Sequence, residues 1–167
     1  MNYRYKRERY GLIECRTHYG EKKLVPVSQF KFRPSAYAII LNMGNILLVK
    51  SRKTDKYMLP GGGIEIGDKN EVALQREVKE ETGIDVSIQA FLQFTEFFFY
   101  HDPHHAAYHG LFFYYNCVPL SLDIPKSFRV DDEEAVSPKW YPVAKLNPKD
   151  FHNNGQLILN LIETLGA

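Results

Sequence analysis

Three glutamates lie close together in the segment QREVKEETGI, residues 75–84. Glu77, Glu80 and Glu81 fall at helical spacings of three and four, so a helix would present them on one face about 100° wide. Like charges at this spacing destabilise a helix by roughly a few tenths of a kcal/mol per pair. They also lie in the second half of the predicted helix, where the macrodipole disfavours anions. The arrangement therefore needs positive charge from elsewhere, unless the face is simply solvated.

Two sources of positive charge fit the pattern. Arg76 lies four positions before Glu80, which is the spacing of an ordinary helix ion pair. One arginine does not neutralise three carboxylates, however, and Mg²⁺ and Mn²⁺ take oxygen ligands that they often share with substrate phosphates. A solvated acidic face and a divalent-metal site are therefore the two interpretations of these glutamates.

The segment before the helix reads LPGGGIEIG, residues 59–67. Three consecutive glycines after a proline exclude a helix there, and they allow the backbone to approach a ligand closely. A ligand-binding loop directly before an acidic helix favours the metal site over the solvated face.

Loop and helix together resemble the Nudix box, G-x(5)-E-x(7)-R-E-U-x-E-E-x-G-U, in which U is a bulky aliphatic residue. Eight of the nine defined positions match, namely Gly62, Arg76, Glu77, Val78, Glu80, Glu81, Gly83 and Ile84. The ninth departs from the pattern, because Asp68 stands where the family has glutamate. The shorter side chain keeps the charge but has less reach toward a metal, so we expect Asp68 to act mainly as a helix cap.

The resemblance implies both a fold and a reaction. Nudix proteins are α/β (α+β) proteins with an α/β/α sandwich around a mixed β-sheet, and most use Mg²⁺ or Mn²⁺ to hydrolyse a nucleoside diphosphate linked to another group. By position, the resemblance assigns metal binding to Glu77, Glu80, Glu81 and the carbonyl of Gly61. It assigns the orientation of a glutamate to Arg76, for which a plain ion pair with Glu80 is the alternative.

The resemblance also points to residues outside the box. The general base is a box glutamate, such as Glu77, or one of a later loop, where Glu133 or Glu134 precedes a tryptophan in DDEEAVSPKW; a solvated acidic turn is the alternative there. Lys50 and Arg52 follow one another closely before the glycine loop and are candidates for binding substrate phosphates, although surface solvation explains them equally well.

The sequence gives only weak indications of which substrate the protein uses. We expect a Mg²⁺-dependent hydrolase that cleaves the phosphoanhydride bond of a nucleoside diphosphate-linked compound, first among them a nucleoside triphosphate, including oxidised ones. Tyr100 lies sixteen residues past the box, a spacing that resembles diadenosine polyphosphate hydrolases, so that activity is one alternative. A non-catalytic module that senses a nucleotide is another. The proline typical of ADP-ribose hydrolysis would fall near residue 99 or 100, and Pro103 misses it.

Local patterns predict the elements that must position these residues. PSAYAIIL (34–41) and ILLVK (46–50), with NMGN between them, predict a β-hairpin, and residues 51–67 predict a loop. IDVSI, QAFLQFTEFFFY and GLFFYYNCVPL predict further strands. A terminal helix follows, with Asn153 or Asn154 as its N-cap.

The acidic helix carries its own start and stop signals. Asp68 and Glu71 fit a capping box at its beginning, and Gly83 fits the glycine that ends a helix in the left-handed conformation. Leu74 and Val78 lie four apart and predict the side that packs against the core. Mixed strands and helices of this kind indicate a layered α/β or α+β domain.

Composition bounds the whole chain. With 167 residues and 44% hydrophobic side chains, we expect one domain at 34–167 preceded by a basic extension at 1–33. The extension holds nine Lys or Arg and three Glu, which fits a polyanion-binding arm, a solvated basic strand or a homodimer contact. Two cysteines without a CxxC motif and the lack of a membrane-length apolar run predict a cytoplasmic protein. A nucleotide is the expected partner; neither a membrane nor nucleic acid is.

Overall fold

The computed structural model describes residues 11–17, 19–52, 54–125, 128, 135–152 and 154–166. Within these ranges it contains nine strands and two α-helices. The strands are β1 Leu12–Thr17, β2 Lys22–Pro26, β3 Phe30–Asn42, β4 Asn45–Ser51, β5 Tyr57–Met58, β6 Gly61–Gly63, β7 Val86–His101, β8 Ala106–Pro119 and β9 Ala135–Pro142, and the helices are α1 Asn70–Thr82 and α2 Gly155–Thr164. The predicted α+β class with a mixed sheet is confirmed, because β1 pairs in parallel with β7 while β3 and β4 pair antiparallel. No helix of this part of the chain is long and apolar enough to cross a membrane.

The larger of two compact units comprises residues 35–94 and the chain from Phe112 onward. Its strand order is β7-β8-β3-β4-β5, with β6 paired to β3 and β9 paired to β4. The predicted hairpin is present: Leu41 pairs with Ile46, and Met43 and Gly44 turn the chain with φ angles of 46° and 72°. Two positive φ angles are what the tight turn of a hairpin requires, and they explain why a glycine is suited to the second position.

The core of this unit lies between α1 and the sheet. The predicted pair Leu74 and Val78 is fully buried and packs with Leu47 of β4 and Ile40 of β3. Helix α2 buries Ile158, Leu161 and Ile162. Because both helices are anchored by apolar side chains at helical spacing, their polar positions are held at fixed places on the surface.

The smaller unit comprises the described residues up to Pro34 together with Thr95–Leu111. In it β1 pairs antiparallel with β2, and Arg16 lies opposite Phe99 of β7. A small core contains the buried residues Cys15, Val25 and Ala107, with Phe30 and Tyr100 packed against it. Cys15 here and Cys117 of the larger unit are both free thiols.

Two local predictions need correction, and a third is confirmed in position only. Residues 51–67 are not all loop, since Tyr57–Met58 and Gly61–Gly63 form the short strands β5 and β6. Asp68 does not cap α1: the N-cap is Lys69, no side chain caps it, and the Asp68 carboxylate accepts a long contact from Arg76 instead. Asn154 is the N-cap residue of α2, as predicted, but no side-chain hydrogen bond caps the helix, and its amide donates to the Tyr114 hydroxyl instead.

Candidate active site

Helix α1 carries the candidate carboxylates and fixes their direction. Gly83 ends the helix with φ 74°, and its N–H donates to the Lys79 carbonyl, as the sequence predicted. Since Leu74 and Val78 bind one side of the helix to the core, the three glutamates emerge along the neighbouring face. They emerge at different depths: Glu81 is buried, Glu77 is half-buried and Glu80 is exposed.

The predicted pairing of Arg76 with Glu80 is present and forms part of a larger network. Nη1 of Arg76 donates to Glu77 Oε1 at 2.8 Å and to Glu80 Oε2 at 3.2 Å. Nη2 lies 3.5 Å from Asp68 Oδ2, at the limit of a hydrogen bond. A single guanidinium therefore joins two box glutamates to the aspartate that replaces the family's glutamate.

The charges around Arg76 favour its protonated form. Burial of the guanidinium opposes the charge, but the hydrogen bond to Glu77 and the negative charges of Glu77, Glu80 and Glu65 outweigh it, so the pKa of Arg76 is raised. The arginine consequently stays a fixed cation, and it orients the two carboxylates as a planar hydrogen-bond donor.

Glu81 is tied to the glycine loop. The Gly61 N–H donates to Glu81 Oε2 at 2.9 Å, and both groups are buried. Gly61 has φ +135°, and a Cβ there would overlap the Ala36 carbonyl of β3, so only glycine fits this position without strain. The loop therefore lies close to the sheet, and the buried carboxylate holds it against the helix.

Gly62 makes room for Glu77. A Cβ at Gly62 would overlap Glu77 Oε2, and no part of the backbone is that close. Two of the three consecutive glycines thus have distinct structural reasons: Gly61 passes close to β3, and Gly62 leaves space for a carboxylate. This close approach of loop and carboxylates brings together the two halves of the motif found in the sequence.

The other described residues that the sequence singled out belong to elements other than α1 and the glycine loop. Lys50 is the next-to-last residue of β4 and lies opposite Tyr57, and its Nζ pairs with Asp55 at 2.8 Å. Arg52 is exposed in the turn after β4. Tyr100 belongs to the smaller unit, where the Lys23 ammonium lies 3.3 Å from its ring centroid. Glu133 and Glu134 fall outside the described residues.

The site offers oxygen donors to a cation. Within the described ranges no three His, Cys, Asp or Glu side chains converge as a ready-made cage. The reason is visible in the hydrogen bonds, since Arg76 holds Glu77 and Glu80 while the Gly61 N–H holds Glu81. The carboxylates are thus gathered on one face and kept there by donors from the chain itself.

Sequence reasoning missed a polar cleft that contains Lys56, Tyr57, Tyr141 and Lys145. These residues come from three separate segments, and no spacing in the chain relates them. Only the pairing of β4 with both β5 and β9 brings the segments together, so no local signal could have found the cleft.

Comparisons with known proteins show what the chain is similar to. The family model of the NUDIX domain matches residues 31–161. A nucleoside triphosphatase named NudI from Klebsiella pneumoniae is 31% identical over 133 residues, which cover 74% of this chain and 91% of that protein. Nudix hydrolase 2 from Arabidopsis thaliana is 27% identical over 139 residues, and the chain spans about half of that relative, 46% of its length. A solved NUDIX hydrolase from Nitrosomonas europaea has a TM-score of 0.63 at 22% identity, covering 81% of this chain and 89% of that chain.

Proposed function

Because the chain belongs to the NUDIX family of hydrolases, we propose that it uses a divalent cation to hydrolyse the phosphoanhydride bond of a nucleoside triphosphate. The observation that carries the proposal is the gathering of Glu77, Glu80 and Glu81 on one face of α1, directly beside the glycine loop. A phosphoanhydride substrate is itself anionic, so an acidic face of this kind can approach it only with a cation between them.

The residues fit a hard cation by the chemistry of their donors. Glu77 and Glu80 offer carboxylate oxygens, the ligand type that Mg²⁺ and Mn²⁺ prefer, and Arg76 holds both of them. We propose Glu77, Glu80 and Glu81 as the ligands, with the Gly61 carbonyl as a further oxygen donor. Such a cation supplies charge neutralisation for the phosphates and a more acidic bound water.

The chain's own residues do the positioning. Arg76 keeps Glu77 and Glu80 pointing in one direction through the bonds from its Nη1 atom. The Gly61 N–H orients the buried Glu81 carboxylate by donating to its Oε2 atom. This hydrogen bond offsets part of the cost of desolvating that oxygen. Since these bonds exist before any ligand arrives, the carboxylates lose little freedom when they bind one.

The general base is proposed among Glu77, Glu133 and Glu134. Glu77 is half-buried beside Gly62, which places a carboxylate next to the loop where a phosphate would lie. Arg52 is proposed to contact the substrate phosphates, because it is an exposed cation one residue beyond β4.

The triphosphate is favoured as substrate by the named activity of the Klebsiella relative, which aligns over most of both chains. The test is a panel of ribo- and deoxynucleoside triphosphates, their 8-oxo forms, diadenosine polyphosphates and ADP-ribose, each with Mg²⁺, Mn²⁺ or EDTA. We expect metal-dependent release of a nucleoside monophosphate and pyrophosphate from at least one triphosphate. Nucleotide binding without turnover of any compound would instead identify a sensing module.

A further inference from the structure

The polar cleft lies around the end of β4 and shares no residue with the carboxylate network. Its volume is about 490 Å³, within the range of roughly 300–1,000 Å³ that small-molecule sites occupy. The lining includes Lys50, Lys56, Lys145, Tyr57 and Tyr141. Both size and lining therefore suit a small polar ligand better than a protein segment.

The cleft opens on the side of β4 that faces away from α1. Leu47 of β4 packs in one cluster with Leu74 and Val78 of α1. Side chains alternate along a strand, so Lys50, three positions after Leu47, points to the opposite face. The irregularity in the pairing of β4 with β9 adds its extra residue to β9 and leaves this alternation in β4 intact. The cleft is consequently separate from the face of β4 on which the acidic helix packs.

The lining of the cleft carries more positive than negative charge. Its two carboxylates are already engaged: Asp55 pairs with Lys50 at 2.8 Å, and Asp150 accepts the Asn147 N–H at 2.8 Å. Lys56 Nζ donates to a carbonyl, that of Lys149, at 2.6 Å, and this acceptor carries no charge. Lys145 has no hydrogen-bond or ion-pair partner among the residues that the structure describes. The lining thus holds three ammonium groups against two carboxylates, and among the described residues neither Lys56 nor Lys145 forms an ion pair, so an anion could bind between them.

Aromatic side chains form another part of the lining. The rings of Tyr57 and Tyr141 lie with centroids 4.5 Å apart at an angle of 54°. Burial raises the pKa of the Tyr141 phenol, with Tyr57 next in effect, so its hydroxyl stays protonated and able to donate. A planar ring can pack against such a pair, because aromatic faces accept flat ligands.

We propose that this cleft binds a mononucleotide, with its phosphate at Lys56 and Lys145 and its base against Tyr57 and Tyr141. The combination of cations and a tilted pair of aromatic rings recognises both parts of such a ligand, whereas inorganic phosphate or a nucleoside offers only one. The site does not depend on the proposed hydrolysis, because none of its residues belongs to the carboxylate network.

The test measures AMP binding by calorimetry to the Glu80→Gln/Glu81→Gln protein in EDTA, so that neither metal nor turnover contributes. The base is not specified by the cleft, so GMP is titrated in parallel. We expect saturable binding of at least one mononucleotide, about tenfold or more tighter than that of inorganic phosphate or the matching nucleoside. The Lys56→Ala/Lys145→Ala change should weaken it about tenfold or more, since hydrogen bonds to charged groups are among the stronger ones.

Lys139→Ala is the matched control, because Lys139 is an exposed lysine of β9 that does not line the cleft. It should keep mononucleotide affinity within about twofold, as a purely electrostatic effect of one surface lysine is screened at ordinary salt. Tyr141→Leu should weaken the mononucleotide but not inorganic phosphate. Equal binding to the double lysine variant and the parent, or equal affinity for phosphate and mononucleotide, overturns the proposal, as does the lack of saturable binding at millimolar nucleotide.

Discussion

The buried carboxylate of Glu81 accepts a hydrogen bond from the backbone N–H of Gly61 at 2.9 Å. This bond joins residues twenty positions apart and locks the glycine loop onto the end of helix α1. Removing the Glu81 carboxylate takes the acceptor from the buried Gly61 N–H, and an unsatisfied buried polar group costs about 1–3 kcal/mol. The same contact that stabilises the loop therefore also fixes one of the proposed metal ligands.

Gly61→Ala should destabilise the fold. The new Cβ would overlap the Ala36 carbonyl, and the residue would keep a φ of +135°. Backbone strain of this kind costs about 1–3 kcal/mol, so at roughly 2–4 °C per kcal/mol the melting temperature should fall by about 2–12 °C. Gly67→Ala is the control, because Gly67 also has positive φ, +105°, but nothing lies within 4 Å of its Cβ position. Equal losses in the two variants would show that the close approach to β3 is not important.

Gly62→Ala should affect activity more than stability. Its Cβ would meet the far end of the Glu77 side chain, which can turn aside, and not the backbone. We expect the melting temperature to change by less than about 4 °C, which corresponds to about 1 kcal/mol. The hydrolysis rate should fall about tenfold or more, because small displacements of a catalytic group are costly. Full activity in this variant would show that the position of Glu77 is not important for hydrolysis.

Arg76→Lys tests whether the arginine positions the glutamates. Lysine keeps the charge but cannot donate to Glu77 and Glu80 from one planar group. We expect the turnover number to fall about 10- to 100-fold, the Mg²⁺ concentration for half-maximal activity to rise, and the substrate KM to change little. The melting temperature should hold, because partly exposed ion pairs contribute at most about 1 kcal/mol.

Lys79→Ala is the matched control for this change. It removes an ion pair of the same helix, that of Lys79 with Asp85 at 2.6 Å, away from the network. Its turnover number and KM should stay within about twofold of the parent values. Such a change is well below 1.4 kcal/mol, which corresponds to about tenfold. If both variants behave alike, Arg76 is an ordinary ion-pair partner.

We expect the buried thiol of Cys117 to make the protein lose stability at alkaline pH. Burial raises the pKa of its thiol from 9.0 to about 12. Between these values the unfolded state releases the proton while the folded state retains it, so stability falls as pH rises from about 9 toward 12. The urea midpoint should therefore drop more steeply from pH 8.5 to 10.5 in the parent than in Cys117→Ala, with the difference of the two slopes as the readout. Parallel slopes would mean that the thiol ionises equally easily in both states.

Several features could be predicted because the chain encodes them locally. Helix α1 was predictable from Leu74 and Val78, which supply its buried side, and from Gly83, which ends it. The hairpin of β3 and β4 was predictable from the short turn at Met43 and Gly44. Spacing alone also paired Arg76 with Glu80. Each of these depends on residues within a few positions of one another.

Other features depend on residues far apart in sequence. Gly61–Gly63 becomes a strand only because β3 supplies pairing partners, which the glycines alone do not indicate. Asp68 had the right spacing for a capping box, but the guanidinium eight positions later is a competing partner for its carboxylate. The polar cleft likewise forms only once β4 has paired with β5 and β9.

The central claim is that the carboxylate face of α1 carries the hydrolytic reaction, and one rate comparison tests it most directly. Glu80→Gln removes an exposed carboxylate of the face, whereas Glu71→Gln removes an exposed carboxylate from the first turn of the same helix. Both variants should fold, because neither side chain is buried. In Mg²⁺ with the best nucleoside triphosphate of the panel, Glu80→Gln should lose at least about 10² in turnover number, the size expected when metal-assisted charge neutralisation is impaired, while Glu71→Gln stays near the parent rate. Equal rates for the two variants would contradict the account.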